Sequence, residues 1–271
     1  MREHITVGVD GSGGSWAALA WAVRDAARRE RPLRIVYALD LHRYIGAPPV
    51  AAGFTLGQVF DRLSAHGREI VGRAAGWART HGSVTTSTQV CVDAACRVLA
   101  GQTDAAFEVV VGQGREQGRL ARLWPGSVGR RLLIGQRGPV VIVGGHAERP
   151  GDDVVVVLSA GDAMEAALRY GCEAAALRGA RLRIVAPAHA ASRAEAVAER
   201  VRSGPWQVEV RVQRIAGDLA PALRAASVTA RLMVLGADLA RRGSVWRRSL
   251  ASRLIGRLAC PIAVVPAAPA A

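Results

Sequence analysis

Lysine and asparagine are absent from the sequence, so all 36 basic residues are arginine, and aromatic residues make up only 4% of the chain. With so few aromatic rings, there are few platforms on which single-stranded bases could stack. The arginines are spread along several predicted helices rather than gathered in one stripe. The formal charge of +14 biases the surface toward anions, but this composition argues against specific nucleic-acid binding.

Further absences exclude several classes of protein. No apolar run reaches the ~20 residues that a membrane span needs, and no signal-peptide pattern precedes the first apolar run. The four cysteines show neither CxxC spacing nor the density of a disulfide scaffold, so we expect buried thiols. The six histidines never form a close pair, and no nucleophile–base pair can be identified. We therefore predict a cytoplasmic protein with no membrane, metal or catalytic function.

The chain contains two copies of one unit. The tetrapeptide Leu33–Val36 recurs as Leu182–Val185, and the alanines and leucine before each copy align without a gap. A second block, which includes Ser127 in the first copy and Ser249 in the second, aligns further along the chain. Any candidate site can therefore be compared between the two copies.

Strand-like and helix-like patterns alternate along both copies. Short runs that are apolar throughout suit strands covered on both faces. The runs that open each copy, residues 5–9 and 154–158, are of this kind, and further strands are predicted at 33–36, 86–92, 109–112 and 140–143 in the first copy and at 182–185, 207–212, 232–236 and 262–265 in the second. Amphipathic helices separate them, including a long one predicted at 55–79 in the first copy and a short one at 194–202 in the second. The alternation predicts the α/β class, with two tandem, doubly wound domains at 1–146 and 152–267.

Three segments of the first copy should converge beyond the carboxyl ends of the strands, where doubly wound sheets bind ligands. Asp10 follows the first strand, Gly112–Gly118 follows the fourth, and Gly126–Val128 opens the last helix. Free N–H groups and the helix dipole favour phosphate at such a helix start. Structural roles remain open for each segment: Asp10 as a helix cap or turn residue, Ser127 as an N-cap, and the glycines as a plain turn.

These residues resemble the universal stress protein family, in the tandem form common in actinobacteria. The resemblance covers nearly all of both halves and rests on Val7–Ser12 before a Trp/Ala-rich helix, and on Gly126–Val128 running into Gly138–Val143. It implies a Rossmann-like domain in each half, with a five-stranded parallel sheet flanked by helices. It also implies a non-enzymatic stress-response protein whose domains associate through their last strands, as an intrachain pseudo-dimer or a homodimer.

Nucleotide-binding members of that family hold ATP, with Mg, through the motif G-x2-G-x9-G-[S/T]. Carried onto this sequence, the resemblance assigns nucleotide binding to Asp10, Ala38, Gly112, Gly114, Gly126, Ser127 and Val128. The match is incomplete, because Arg115 stands where the second glycine belongs, and Gly112 and Gly126 are one residue further apart than the motif allows. Gly114 and Gly118 could supply an alternative bend, since glycine permits positive φ angles.

The second copy has lost the same site. Ser159 replaces the aspartate after the first strand, Arg248 stands where Gly126 would be, and Gly236–Leu239 lacks the second glycine. The leading hypothesis is an adenine-nucleotide sensor that binds through its first domain only, with binding ordering the loop after the fourth strand. The alternative is a structural or protein-interaction module in which neither domain binds nucleotide. A third hypothesis, an ATP-hydrolysing form, has no residue that can be named as its base.

Overall fold

The computed structural model describes residues 3–40, 55–113, 128–144, 151–240 and 249–268. The chain divides into two compact units, Met1–Gln136 (unit 1) and Arg137–Ala271 (unit 2). The predicted domain limits, 1–146 and 152–267, stay a prediction. The sequence also predicts a loop at 46–53 and a linker at 144–152; the loop and residues 145–150 of the linker lie outside the described residues.

Unit 1 is a parallel sheet with helices packed against it. Its strands are β1 (His4–Gly8), β2 (Leu33–Ala38), β3 (Thr86–Cys91) and β4 (Ala106–Gly112). Their order is β3-β2-β1-β4, and each pairing is parallel. Its helices are α1 (Gly13–Arg28), α2 (Leu56–His81), α3 (Ala95–Ala105) and the short α4 (Val128–Leu132). Both faces of the sheet are covered, since α2 packs on Tyr37, and α3 packs Leu99 on Gly8, whose register partner is Val36.

Helix starts in unit 1 follow from their capping residues. The hydroxyl of Ser12 accepts the Ser15 N–H at 3.2 Å and begins α1. Thr55 and Gln58 form a reciprocal capping box at the start of α2, close to the predicted start at residue 55. None of the helices that the structure describes is long and apolar enough to span a membrane.

Unit 2 has the same alternation, with one additional strand. Its strands are β5 (Val140–Val143), β6 (Asp153–Val157), β7 (Arg181–Pro187), β8 (Val210–Ile215), β9 (Ala230–Gly236) and β10 (Ile262–Val265). Their order is β5-β10-β9-β6-β7-β8. Its helices are α5 (Met164–Arg178), α6 (Ala191–Arg202), α7 (Leu219–Ala226) and α8 (Leu250–Leu254). Every pairing is parallel except that of β5 with β10, the last strands of the two sequence repeats.

The predicted α/β class, with a mostly parallel sheet flanked by helices, is confirmed. Strand β6 illustrates the pattern, because all five of its residues are buried and four of them are valine. The prediction of a strand at 207–212 was three residues too early, since β8 occupies Val210–Ile215. The reason is local: the Val208 N–H donates to the Trp206 carbonyl at 2.9 Å, and the ladder with β7 starts only where Val210 lies opposite Leu182.

A buried ion pair stabilises the last turns of α1. The Nε of Arg29 lies 2.6 Å from an Asp25 carboxylate oxygen, and their side chains are 1% and 0% exposed. The Arg29 guanidinium also lies over the Phe107 ring, 4.6 Å from its centroid. Removal of one partner from a buried ion pair is strongly destabilising. Arg73 and Glu69 have the same i,i+4 spacing in α2, but they lie 3.8 Å apart with both side chains more than half exposed.

We expect Arg29→Met to lower the free energy of unfolding by about 3–5 kcal/mol, because the fully buried Asp25 carboxylate would lose its ion pair with Arg29. The matched variant Arg73→Met should change the free energy of unfolding by at most about 1 kcal/mol, since its ion pair is exposed. Urea denaturation followed by circular dichroism measures both. Equal effects of the two substitutions would contradict the importance of burial.

Candidate functional site

The structure brings three predicted site residues to one edge of the unit 1 sheet. Asp10 follows β1, Ala38 ends β2 and Gly112 ends β4, and β1 lies between the other two strands. The strands are parallel, so their carboxyl ends meet at this edge, which we call the first crevice. Asp10 is exposed, whereas Ala38 and Gly112 are half-buried.

The turn between β1 and α1 orients Asp10. Its carboxylate accepts the Ser12 N–H at 2.9 Å, and Gly11 makes the turn with a positive φ of 82°. Asp10 is therefore a turn residue, and the N-cap of α1 is Ser12. Although partial desolvation raises the pKa of Asp10, hydrogen bonds from Ser12 and Ser15 outweigh it and hold that pKa below its usual value. The side chain consequently presents an ionised carboxylate to solvent at neutral pH.

Gly112 has a structural reason to be glycine. A Cβ at this position would lie 2.1 Å from the Gly14 carbonyl oxygen and 2.7 Å from the Ser15 nitrogen. The end of β4 therefore touches the first turn of α1 backbone to backbone, and no other residue fits there. This contact sets the spacing between Asp10 and the segment that follows β4.

We expect Gly112→Ala to lower the free energy of unfolding by about 1–3 kcal/mol, because the backbone of α1 cannot yield to a side chain. Gly101→Ala in α3 is the matched control: a Cβ there meets nothing within 4 Å. Since alanine is the better helix former, this control should be neutral or slightly stabilising, by up to about 1 kcal/mol. Urea denaturation of both variants tests the contact, and a neutral Gly112→Ala would refute it.

The remaining predicted residues are only partly visible. Gly114, Gly126 and Ser127 lie outside the described residues, and Val128 is the half-buried first residue of α4. The structure therefore places Val128 at the start of the helix where the sequence predicts one. The assignment of all four residues to nucleotide binding stays a prediction.

At the matching edge of unit 2, which we call the second crevice, Asp238 packs between two glycines. Asp238 follows β9, and its Oδ1 lies 2.3 Å from where a Cβ of Gly236 would stand. Its Oδ2 lies 2.6 Å from the corresponding point at Gly161, so the carboxylate fills the space between these two glycines. Ser159, the counterpart of Asp10, is only 7% exposed. The Asp238 carboxylate at this position would repel a phosphate group.

Sequence comparison detected the missing glycine of the second copy but missed the role of Asp238. The signal was present, because Asp238 aligns with Gly114 when Gly236 is aligned with Gly112. Both Oδ1 of Asp238 and the hydroxyl of Ser159 are shielded from solvent and have no hydrogen-bond partner within the described ranges. Such groups lose hydration without compensation.

We expect Asp238→Ala to raise the free energy of unfolding by about 1 kcal/mol, because it removes a desolvated acceptor. Asp162→Ala, an exposed aspartate in the turn that leads to α5, should change the free energy of unfolding by no more than about 0.5 kcal/mol. Thermal and urea denaturation measure both variants. A clear loss of stability in Asp238→Ala would contradict this reasoning and show that the packing of Asp238 against Gly161 and Gly236 outweighs its desolvation.

Ser249, the counterpart of Ser127, is an N-cap. Its hydroxyl accepts the Ser252 N–H at 3.2 Å and begins α8. Nearby, Arg253 is held by two hydrogen bonds to the carboxylate of Asp218, the N-cap residue of α7. The side chains of Asp218 and Ser249 thus cap the N-terminal N–H groups of α7 and α8, respectively.

The cysteines differ between the units. Cys172 and Cys260 of unit 2 are buried, which raises their pKa values to about 11 and about 12 and keeps both thiols protonated. Cys91 and Cys96 of unit 1 are only half-buried, so the expectation of four buried thiols is wrong for these two. No group of three or more His, Cys, Asp or Glu residues able to hold a metal occurs in the described part of the chain.

The chain is similar to known proteins along most of its length. The model of the universal stress protein family matches residues 1–144. A universal stress protein of Mycolicibacterium smegmatis is 31% identical over 189 residues, which cover 66% of this chain and 61% of that relative. One from Mycobacterium tuberculosis is 32% identical over 190 residues, which cover 69% of this chain and 65% of the relative. The chain thus matches less than two thirds of the length of these relatives.

Structural similarity extends over the whole chain. The crystal structure of a universal stress protein from Archaeoglobus fulgidus matches with a TM-score of 0.77 at 17% sequence identity. It covers 98% of this chain and 97% of its own. At this identity the match establishes a common fold.

Proposed function

Because the chain belongs to the universal stress protein family, we propose that it acts in a stress response as a non-enzymatic sensor of adenine nucleotide. The ligand is ATP with Mg²⁺, and it binds in the first crevice only. By the same family resemblance, the two repeats act as an intrachain pseudo-dimer, which leaves a homodimer of whole chains as a further level of association.

One observation carries this proposal: the first crevice presents an ionised, exposed Asp10, whereas in the second crevice Asp238 packs between Gly236 and Gly161. A carboxylate beyond the end of β1 can accept hydrogen bonds from ribose hydroxyls, and charge-assisted hydrogen bonds of this kind are strong. Ala38, at the end of the neighbouring strand, is small enough to leave room for an adenine ring. Asp10 and Ala38 therefore fit the nucleoside part of the ligand.

The phosphates belong to the segment between β4 and α4. Gly112 fixes where this segment leaves the sheet, because its backbone contacts the first turn of α1. Gly114, Gly126, Ser127 and Val128 follow in the sequence, and backbone N–H groups of such a loop are suited to phosphate oxygens. Mg²⁺ would be held mainly through the phosphates, as is usual for this ion.

The second crevice supports the restriction of binding to unit 1. Asp238 lies where phosphate would have to approach, and Ser159 cannot replace the exposed charge of Asp10. Ser249, the unit 2 counterpart of Ser127, is engaged as the N-cap of α8. Unit 2 is proposed as the structural or partner-binding half of the sensor.

We expect ATP with Mg²⁺ to bind the full chain with one site in isothermal titration calorimetry. Asp10→Asn should weaken this binding by about tenfold or more, because a charge-assisted hydrogen bond is lost. Ser127→Ala should weaken it as well. Ser159→Ala and Ser249→Ala are the matched controls in unit 2, and both should leave the affinity unchanged.

Neither heat nor a shift in melting temperature at millimolar nucleotide would refute the sensor. That outcome would favour the alternative, a structural or protein-interaction module in which neither unit binds nucleotide. Release of inorganic phosphate from ATP by the purified chain, abolished by Asp10→Asn, would contradict the non-enzymatic assignment.

A further inference from the structure

Strand β3 forms an exposed edge of the unit 1 sheet. It pairs with β2 along its whole length, and no strand in the described ranges pairs with its other side. Ser87, Thr88 and Gln89 are exposed in succession, although α2 packs beside the strand. None of its six residues, Thr86–Cys91, carries a charge.

Along this edge, the backbone groups of β3 meet no partner strand among the residues that the structure describes. The Leu33 N–H donates to the Thr85 carbonyl at 2.8 Å, and the Leu39 N–H donates to the Cys91 carbonyl at 2.7 Å. Odd-numbered residues of β3 therefore face β2. Since alternate residues of a strand bond to opposite sides, Thr86, Thr88 and Val90 direct their N–H and C=O groups to the open edge. Such an edge is a template for another strand.

A groove of about 410 Å³ runs beside this edge, between β3 and α2. It is lined by Arg68, Val71, Gly72, Thr88, Gln89 and Val90. At Gly72 a Cβ would meet nothing within 4 Å, so the floor of the groove is open. Arg68 is exposed and makes neither an ion pair nor a hydrogen bond with any residue that the structure describes. Its charge is available to a ligand.

The corresponding edge of unit 2 is protected. Strand β8 carries Arg211, paired with Glu209 at 2.7 Å, and Arg214, paired with Glu195 at 2.9 Å. Charged side chains along an edge strand discourage pairing with a further strand. The fold can therefore accommodate charged side chains on this edge strand, as β8 shows. Strand β3 has none.

We propose that β3 binds an extended, acidic peptide segment of another protein as an additional strand of the unit 1 sheet. Main-chain hydrogen bonds to Thr86, Thr88 and Val90 supply the affinity, and the groove takes alternate side chains of the peptide. Arg68 selects for a carboxylate there. A second copy of this chain that pairs through its own β3 is disfavoured as the occupant, because that strand carries no carboxylate to meet Arg68. The proposal does not depend on nucleotide binding.

The test uses the full chain and a fluorescein-labelled peptide of alternating valine and glutamate. We expect saturable binding in fluorescence anisotropy, weakened by salt. Hydrogen exchange of the Thr86, Thr88 and Val90 amides should slow when the peptide is bound, because these amides gain acceptors. A peptide with proline in place of its central valine keeps the charge but loses a ladder hydrogen bond, and it should bind at least about tenfold more weakly.

Arg68→Gln should weaken the valine–glutamate peptide about threefold, as an exposed ion pair allows. Arg79→Gln, on the same helix but outside the groove, should leave binding unchanged. Equal binding of the proline peptide, or unchanged exchange at the three amides, would overturn the proposal in favour of non-specific attraction between charges. Concentration-dependent dimers in sedimentation velocity that protect the same amides without peptide would overturn it in favour of a second copy.

Discussion

Both units depend on one constraint: parallel strands deliver their carboxyl ends, and the helices that follow them, to the same edge of a sheet. In unit 1, β4 approaches the first turn of α1 so closely that only glycine fits at position 112, because a Cβ there would lie 2.1 Å from the Gly14 carbonyl oxygen. In unit 2 the equivalent approach is between Gly236 and Ala163, where a Cβ would be 3.2 Å away. The scaffold is shared, and the packing at this point differs.

The two repeats illustrate how a duplicated scaffold diverges without unfolding. Apart from the antiparallel pair β5 and β10, the strands keep their parallel pairing. Each unit retains a buried apolar core. One change lies at the crevices, where the exposed carboxylate of Asp10 in one copy corresponds to the buried hydroxyl of Ser159 in the other. Asp238 stands where the first copy has Gly114. Replacement of this glycine therefore adds a side chain that occupies the space between Gly161 and Gly236.

Most of the fold was predictable because burial leaves a strong periodic signal. Runs such as Val154–Val157 are apolar throughout, and capping residues such as Thr55 mark a helix start to within a residue. Short-range competition was harder to predict: Asp10 and Ser12 can both cap a helix, and the positive φ of Gly11 decided between them. The orientation of the Asp238 side chain toward Gly161 depends on a contact between distant segments, which no local pattern contains.

The partition of thiols has a practical consequence for anyone handling the protein. Thiol reagents attack the thiolate, so the buried and strongly protonated Cys172 and Cys260 resist alkylation in the folded state. The half-buried pair, Cys91 and Cys96, lies entirely in the first repeat, one on the exposed edge strand and the other in the following helix. A maleimide dye applied to the native chain would therefore mark one repeat and spare its twin, without any engineered substitution.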